Sequence, residues 1–178
     1  MIKNVLSILK KNLNCIGTSS MGRFFDAVSA LLDLKRKVTY EGEAAIALES
    51  ICSLDEEGIY SYDICDNNGE LIINEEKIIM DIMSDLEDGS NKGKIAKRFH
   101  NTVIAFTIDM CERIRDMRGI NEVVLSGGVF QNNILLKGIA VGLEKQGFKV
   151  YTHGKIPTND GGISLGQLVI ANYQTDYR

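Results

Sequence analysis

The sequence predicts an α/β domain, with helices flanking a mixed sheet and a largely helical amino-terminal part. Three observations carry that expectation. An apolar, β-branched-rich run at 123–125, a helical pattern and a second apolar run follow one another within about thirty residues, the spacing of a βαβ unit. Both runs lead into glycine-rich loops, Ser126-Gly127-Gly128 after the first and Asn159-Asp160-Gly161-Gly162 after the second. Finally, Ile95, Phe99, Val103, Phe106, Met110, Ile114 and Met117 recur at steps of three and four, which marks one long helix with a core face.

The elements follow in order. Ile2, Val5, Leu6, Leu9 and Leu13 predict an amphipathic helix over 2–13, interrupted at Gly17-Thr18-Ser19-Ser20. Those hydroxyls are N-cap candidates for a helix over 21–34 that turns Phe24, Phe25, Val28, Leu31 and Leu32 inward. A basic connector, 35–40, leads through Glu41-Gly42-Glu43 into a helix over 44–52, whose early glutamates suit its positive end. Segments 59–65 and 70–73 flank Asp66-Asn67-Asn68-Gly69, and the Asn-Gly ending predicts a β-hairpin. Ile78, Ile79, Ile82, Met83 and Leu86 place a helix over 75–86, closed at Asp88-Gly89. The long helix spans 92–118 and stops at Gly119. His100 lies off its stripe with no second histidine one turn away, so no helical metal pair is expected. A helix over 133–146 packs through Leu135, Ile139 and Leu143 and is capped by Gly147; the strand 148–151 follows. Pro157 stiffens the connector into a last helix, 163–173.

Composition bounds the function. The 178 residues are 44% hydrophobic and 25% charged, enough to bury a core, as one domain or a part of a larger one. A net charge of −4 gives no support for nucleic acid or an anionic membrane surface as a partner. No run approaches the roughly 20 apolar residues of a membrane span, and 1–14 lacks the features of a signal peptide. Cys15, Cys52, Cys65 and Cys111 are dispersed, so reduced thiols in a cytoplasmic protein are expected, without a self-contained zinc site.

Two adjacent glycines between a strand and a helix let the chain turn tightly and let a ligand reach main-chain atoms without meeting a Cβ. The helix behind them is expected to aim its free N–H groups at a nucleotide or another anion over Gly127 and Gly128. An ordinary βα turn is the competing reading of Gly-Gly alone. Asp26 reads equally as a solvated helix residue, and Asn-Asp-Gly-Gly as a cap and turn. Two such loops at one sheet edge make a platform for phosphate and metal. There is no Gly-x-x-x-x-Gly-Lys-Ser/Thr loop, no Gly-x-Gly-x-x-Gly fingerprint, and no nucleophile elbow at Ser126.

Four ordered stretches give a specific resemblance. They are Thr18-Ser19-Ser20-Met21-Gly22-Arg23-Phe24-Phe25-Asp26-Ala27-Val28, Tyr40-Glu41-Gly42-Glu43-Ala44-Ala45, Ser126-Gly127-Gly128-Val129-Phe130-Gln131-Asn132, and Asn159-Asp160-Gly161-Gly162-Ile163-Ser164-Leu165-Gly166-Gln167. Together, over nearly the whole of 1–178, they resemble the carboxy-terminal part of the HypF carbamoyltransferases, which mature nickel–iron hydrogenases. More distantly, Phe25-Asp26-x-Val28 and Ser126-Gly127-Gly128-Val129-x-x-Asn132 are similar to the TsaD-type tRNA threonylcarbamoyladenosine synthases.

The resemblance implies one lobe of an actin/Hsp70-like (ribonuclease H-like) ATPase domain, with the preceding lobe absent. It implies carbamoyl-adenylate made from carbamoyl phosphate and ATP, and carbamoyl transfer to the carboxy-terminal cysteine of HypE. By motif position Asp26 would hold the ribose hydroxyls, Gly127 and Gly128 would line the nucleoside and phosphates, and Asn132 would reach the adenine. Asp160 would bind a divalent metal (Mg, Fe or Zn) whose other ligands, histidines of a His-x-x-x-His motif, lie in the preceding lobe. HypE and the other HypF domains are the implied partners, with no membrane and no nucleic acid. The chain departs from the pattern at Cys15-Ile16-Gly17 and at Thr158, where prolines are expected. A TsaD-like piece and a non-catalytic interaction module remain the alternatives.

Overall fold

A computed structural model describes residues 2–176. Its elements run α1 (Ile2–Lys10), α2 (Met21–Leu31), α3 (Glu43–Ser50), β1 (Asp63–Asn67), β2 (Glu70–Asn74), α4 (Glu76–Glu87), α5 (Lys92–Arg118), β3 (Glu122–Leu125), α6 (Asn133–Lys145), β4 (Lys149–Thr152) and α7 (Ile163–Asp176).

Helix α5 is the axis of the fold. Asn91 caps its start by accepting from the Gly93 and Lys94 N–H groups at 2.8 and 3.3 Å. Gly119 ends it in the left-handed region at φ 69°, its N–H donating to the Arg115 carbonyl at 2.7 Å. Ile95, Phe99, Val103 and Phe106 are buried, whereas Ile114 and Met117, on the same stripe, are exposed. Phe99 meets Phe24 and Phe25 of α2 edge-on, ring centroids 5.0 and 4.8 Å apart, each such pair worth about 1 kcal/mol beyond its burial. On another side α6 lies close, because Gly138 and Gly142 offer no Cβ to strike Ile104 and Ile108 of α5. His100, off the stripe, is nonetheless fully buried, because α5 is covered on more than one side.

The mixed sheet expected from the sequence is instead two separate pairs. The antiparallel hairpin β1–β2 closes through Asn68 (φ 55°) and Gly69 (φ 87°), the conformation a two-residue hairpin turn needs. Parallel β3–β4 forms its own sheet. The hairpin strand also starts later than expected, at Asp63. Ahead of it the backbone is pinned by helix side chains. Tyr60 N–H donates to Thr102 Oγ1 at 2.8 Å and Ser61 N–H to Asp81 Oδ2 at 2.9 Å, leaving those donors nothing to give a ladder.

The apolar residues of α1 and α7 are largely exposed, among them Leu6, Leu9, Leu168 and Ile170, and so is Val124 of β3 at 68%. The amphipathic pattern of α1 was legible, but among the described residues nothing covers its face. No described helix is long and apolar enough to cross a membrane.

Candidate functional site

Parallel pairing of β3 with β4 sets Leu125 opposite Thr152, so the two glycine loops leave the same edge of the sheet. They are tied together there. Gly127 N–H donates to the Thr158 carbonyl at 2.9 Å, and the Thr158 hydroxyl donates back to the Gly127 carbonyl. Beside this tie, Ser126 Oγ lies 2.9 Å from His153 Nε2. Gly127 sits at φ 107°, ψ 159°, a backbone region essentially reserved for glycine. No atom lies within 4 Å of where a Cβ on Gly127 or Gly128 would stand, so the space over both is open.

A tight 3-10 turn, Gly128–Gln131, separates this loop from α6, and a second, Asp160–Gly162, precedes α7. Neither was legible as such, because hydrophobic period does not report three-residue turns. The first changes where donors point. The α6 N–H groups expected to face a ligand are already bonded: Asn133 and Ile134 donate to Glu49 Oε1 of α3 at 2.8 and 3.4 Å, and Leu135 to Asn132 Oδ1 at 3.0 Å. A carboxylate from a distant helix thus occupies the positive end of α6. Among the described residues, the Gly128 and Val129 N–H groups have no backbone acceptor. They are the donors left for an anion.

Asn132 is buried, and both ends of its amide are engaged within the fold: Nδ2 lies 2.8 Å from His100 Nε2, and Oδ1 caps α6. His100 also lies 2.7 Å from the Ala96 carbonyl through Nδ1, and burial pushes its pKa down to about 4, so the ring is neutral. The periodicity that places α5 gives no sign of these contacts, because His100 lies off its apolar stripe. Cys52 Sγ is 3.3 Å from the same Nδ1, and burial raises its thiol to about 12, which keeps it protonated and unreactive.

Asp26 lies in the second turn of α2, paired with Arg23 at 3.2 Å, and α2 packs against the Gly128–Gln131 turn. Gly127, Gly128 and Asn132 therefore share one loop, and the helix that carries Asp26 packs against its turn. Glu43, in the Tyr40-Glu41-Gly42-Glu43 stretch, accepts from the Thr39 N–H at 2.6 Å and from Lys35 Nζ at 2.7 Å. These contacts, Lys35 first, lower its carboxyl to about 2 and fix the connector before α3.

Asp160 opens the second turn, but the cap is Asn159, whose Oδ1 accepts from the Gly161 N–H at 3.0 Å. Among the described residues no hydrogen bond or ion pair holds the Asp160 carboxylate. It is exposed and free to ligate. No three His, Cys, Asp or Glu side chains converge on one point among the described residues, so these residues alone form no complete metal site.

The family model for the second subdomain of the carbamoyltransferase Kae1-like domain matches residues 1–167. The HypF carbamoyltransferase of Synechocystis is 38% identical over 154 residues, 85% of this chain but 19% of its own length. A probable HypF of Methanocaldococcus jannaschii is 36% identical over 159 residues, 89% of this chain and 20% of that protein. A full-length HypF crystallised in a phosphate- and nucleotide-bound form superposes with a TM-score of 0.91 at 45% identity, over 97% of this chain and 23% of that one. HypF of T. kodakarensis does so with a TM-score of 0.75 at 29% identity, over the same shares. Fold and loops together define a Kae1-like α/β subdomain. The chain belongs to the HypF carbamoyltransferase family and spans about a fifth of the length of the Synechocystis and Methanocaldococcus jannaschii relatives.

Proposed function

We propose that this chain forms one wall of the nucleotide cleft of a carbamoyltransferase, the wall that holds the phosphates of ATP and of carbamoyl-adenylate. The observation that carries the reading is the tied pair of glycine loops at the carboxyl edge of β3–β4, with open space over Gly127 and Gly128. The relative that superposes at 0.91 was crystallised with phosphate and nucleotide, which supports it. Gly128 and Val129 N–H groups take phosphate oxygens, Asp26 takes the ribose hydroxyls, and Asp160 contributes one ligand to a divalent metal. That metal, when bound, neutralises phosphate charge.

The exposed apolar residues of α1, α7 and β3 support a covering lobe, the preceding part of a HypF protein in an actin/Hsp70-like arrangement. In the whole enzyme the acceptor is the carboxy-terminal cysteine of HypE, in nickel–iron hydrogenase maturation. Its thiolate attacks the carbamoyl carbon; the bond from that carbon to the adenylate oxygen breaks, and AMP leaves with the electron pair. Two of the chain's own cysteines do not suit that role, since Cys52 is held as a thiol by burial and burial likewise raises Cys111.

The test is carbamoyl transfer to HypE by the complete enzyme carrying Gly128→Val. Loss of transfer and of ATP cleavage in a folded protein is expected. Wild-type turnover would leave the loop a turn without a ligand.

A further inference from the structure

His100, in the third turn of α5, is 0% exposed. It lies against the Phe25 ring of α2 with centroids 5.1 Å apart, against Cys52 just past α3, and against Asn132 ahead of α6. Its protonation follows from its neighbours. The Ala96 carbonyl, 2.7 Å from Nδ1, can only accept, so Nδ1 carries the proton. Nε2 is then a bare acceptor, and Asn132, 2.8 Å away, must present its amide nitrogen. Asn132 Oδ1 is thereby turned to the Leu135 N–H it caps, at 3.0 Å. Asn132 also closes the glycine loop, its own N–H donating to the Val129 carbonyl at 3.1 Å.

The geometry points to His100 as a positioning residue for the nucleotide loop. Through Asn132 it fixes the exit of the Gly128–Gln131 turn, and with it the placement of the Gly128 and Val129 N–H groups. This rests on the reading that the glycine loop takes phosphate. His100 touches no substrate; it acts through Asn132. A ring that merely filled the core would need neither an acceptor at Nε2 nor a partner on the loop.

Two substitutions separate the ring's two ends. His100→Asn places an amide N–H near the Nδ1 position and keeps the bond to Ala96, but leaves Asn132 Nδ2 without an acceptor. His100→Gln reaches further and returns an oxygen to the Nε2 position. In the complete enzyme we would measure ATP KM, kcat and melting temperature for both. His100→Asn should raise the ATP KM on the order of tenfold with a much smaller change in kcat, because an orphaned buried donor lets the loop drift. His100→Gln should bring KM back to within about threefold of wild type. Equal KM values for the two variants, with only melting temperature reduced, would overturn the inference.

Asn132→Ser supplies the second arm, since serine still caps α6 but cannot reach His100. It should raise KM like His100→Asn, and the double variant should be no worse than either single, whereas additive losses would overturn the coupling. If His100→Asn does not fold, Asn132→Ser decides alone, and an unchanged KM sinks the proposal. Gly128→Val run alongside keeps the two claims apart. Wild-type KM there removes the nucleotide-loop reading. Loss of binding there with an unmoved His100→Asn removes only the positioning role.

Discussion

Replacing each glycine of the Gly127-Gly128 pair separately distinguishes backbone geometry from ligand access. Gly127 holds φ 107°, ψ 159°, whereas Gly128 does not lie in the positive-φ region, and nothing crowds a Cβ at either. Gly127→Ala therefore meets backbone strain alone, about 1–3 kcal/mol for a residue forced into a glycine-only region. For a chain of this length each kcal/mol moves the melting temperature by about 2–4 °C, so a drop of roughly 2–12 °C is expected. Gly128→Val meets no such strain. Its valine loses some rotamer freedom but the unfolded chain loses flexibility too, so stability should move by less than about 1 kcal/mol. Its branched side chain instead fills the space over the loop. Thermal unfolding of the 178-residue chain reads the first effect, and ATP binding by the complete enzyme reads the second. Equal melting losses, or full nucleotide binding by Gly128→Val, would refute the division of labour between the two residues.

Further outcomes can be checked separately. Glu49→Ala removes the acceptor of two α6 N–H groups and should cost about 1–2 kcal/mol in urea unfolding, with Glu49→Gln costing less because an oxygen remains. Burial lowers the His100 pKa from 6.5 to about 4, so the unfolded chain takes up a proton below pH 6.5 that the folded chain refuses until about pH 4. Stability should therefore fall as pH drops from 6.5 to 4, by up to roughly 3 kcal/mol, and a pH series on His100→Gln should be flatter over that window. Asp160→Asn should keep the melting temperature within about 2 °C, because Asn159 holds the cap, yet lose metal content and carbamoyl transfer in the complete enzyme. Metal analysis of the purified variant reads that directly.

Much of this was legible in the residues. The long helix came out at its observed bounds because a stripe and a closing glycine agree on it. Asn68-Gly69 announced its turn, and the βαβ spacing put the two glycine loops on one edge. What stayed hidden depends on contacts between residues far apart in sequence. Glu49 reaches α6 across 84 positions, and nothing local to either end signals it. His100 gave no sign of burial because the α5 stripe runs elsewhere, yet α2 and the loop before α6 close over it. The Thr158–Gly127 tie arises at a position where the family pattern expects proline, whose ring could not donate from a side chain. The apolar face of α1 stays outside the core for the opposite reason. Its pattern is sound, but no described element covers it.

A chain that supplies only one wall of a nucleotide cleft cannot hold the nucleotide tightly by itself. Titrating ATP calorimetrically into the 178-residue chain alone, and into the complete enzyme, tests it most directly. A site normally buries most of its ligand between facing walls, so the chain alone should bind at least on the order of a hundredfold more weakly than the whole. Gly128→Val should abolish binding in the whole. Sub-micromolar binding by the isolated chain would contradict the account.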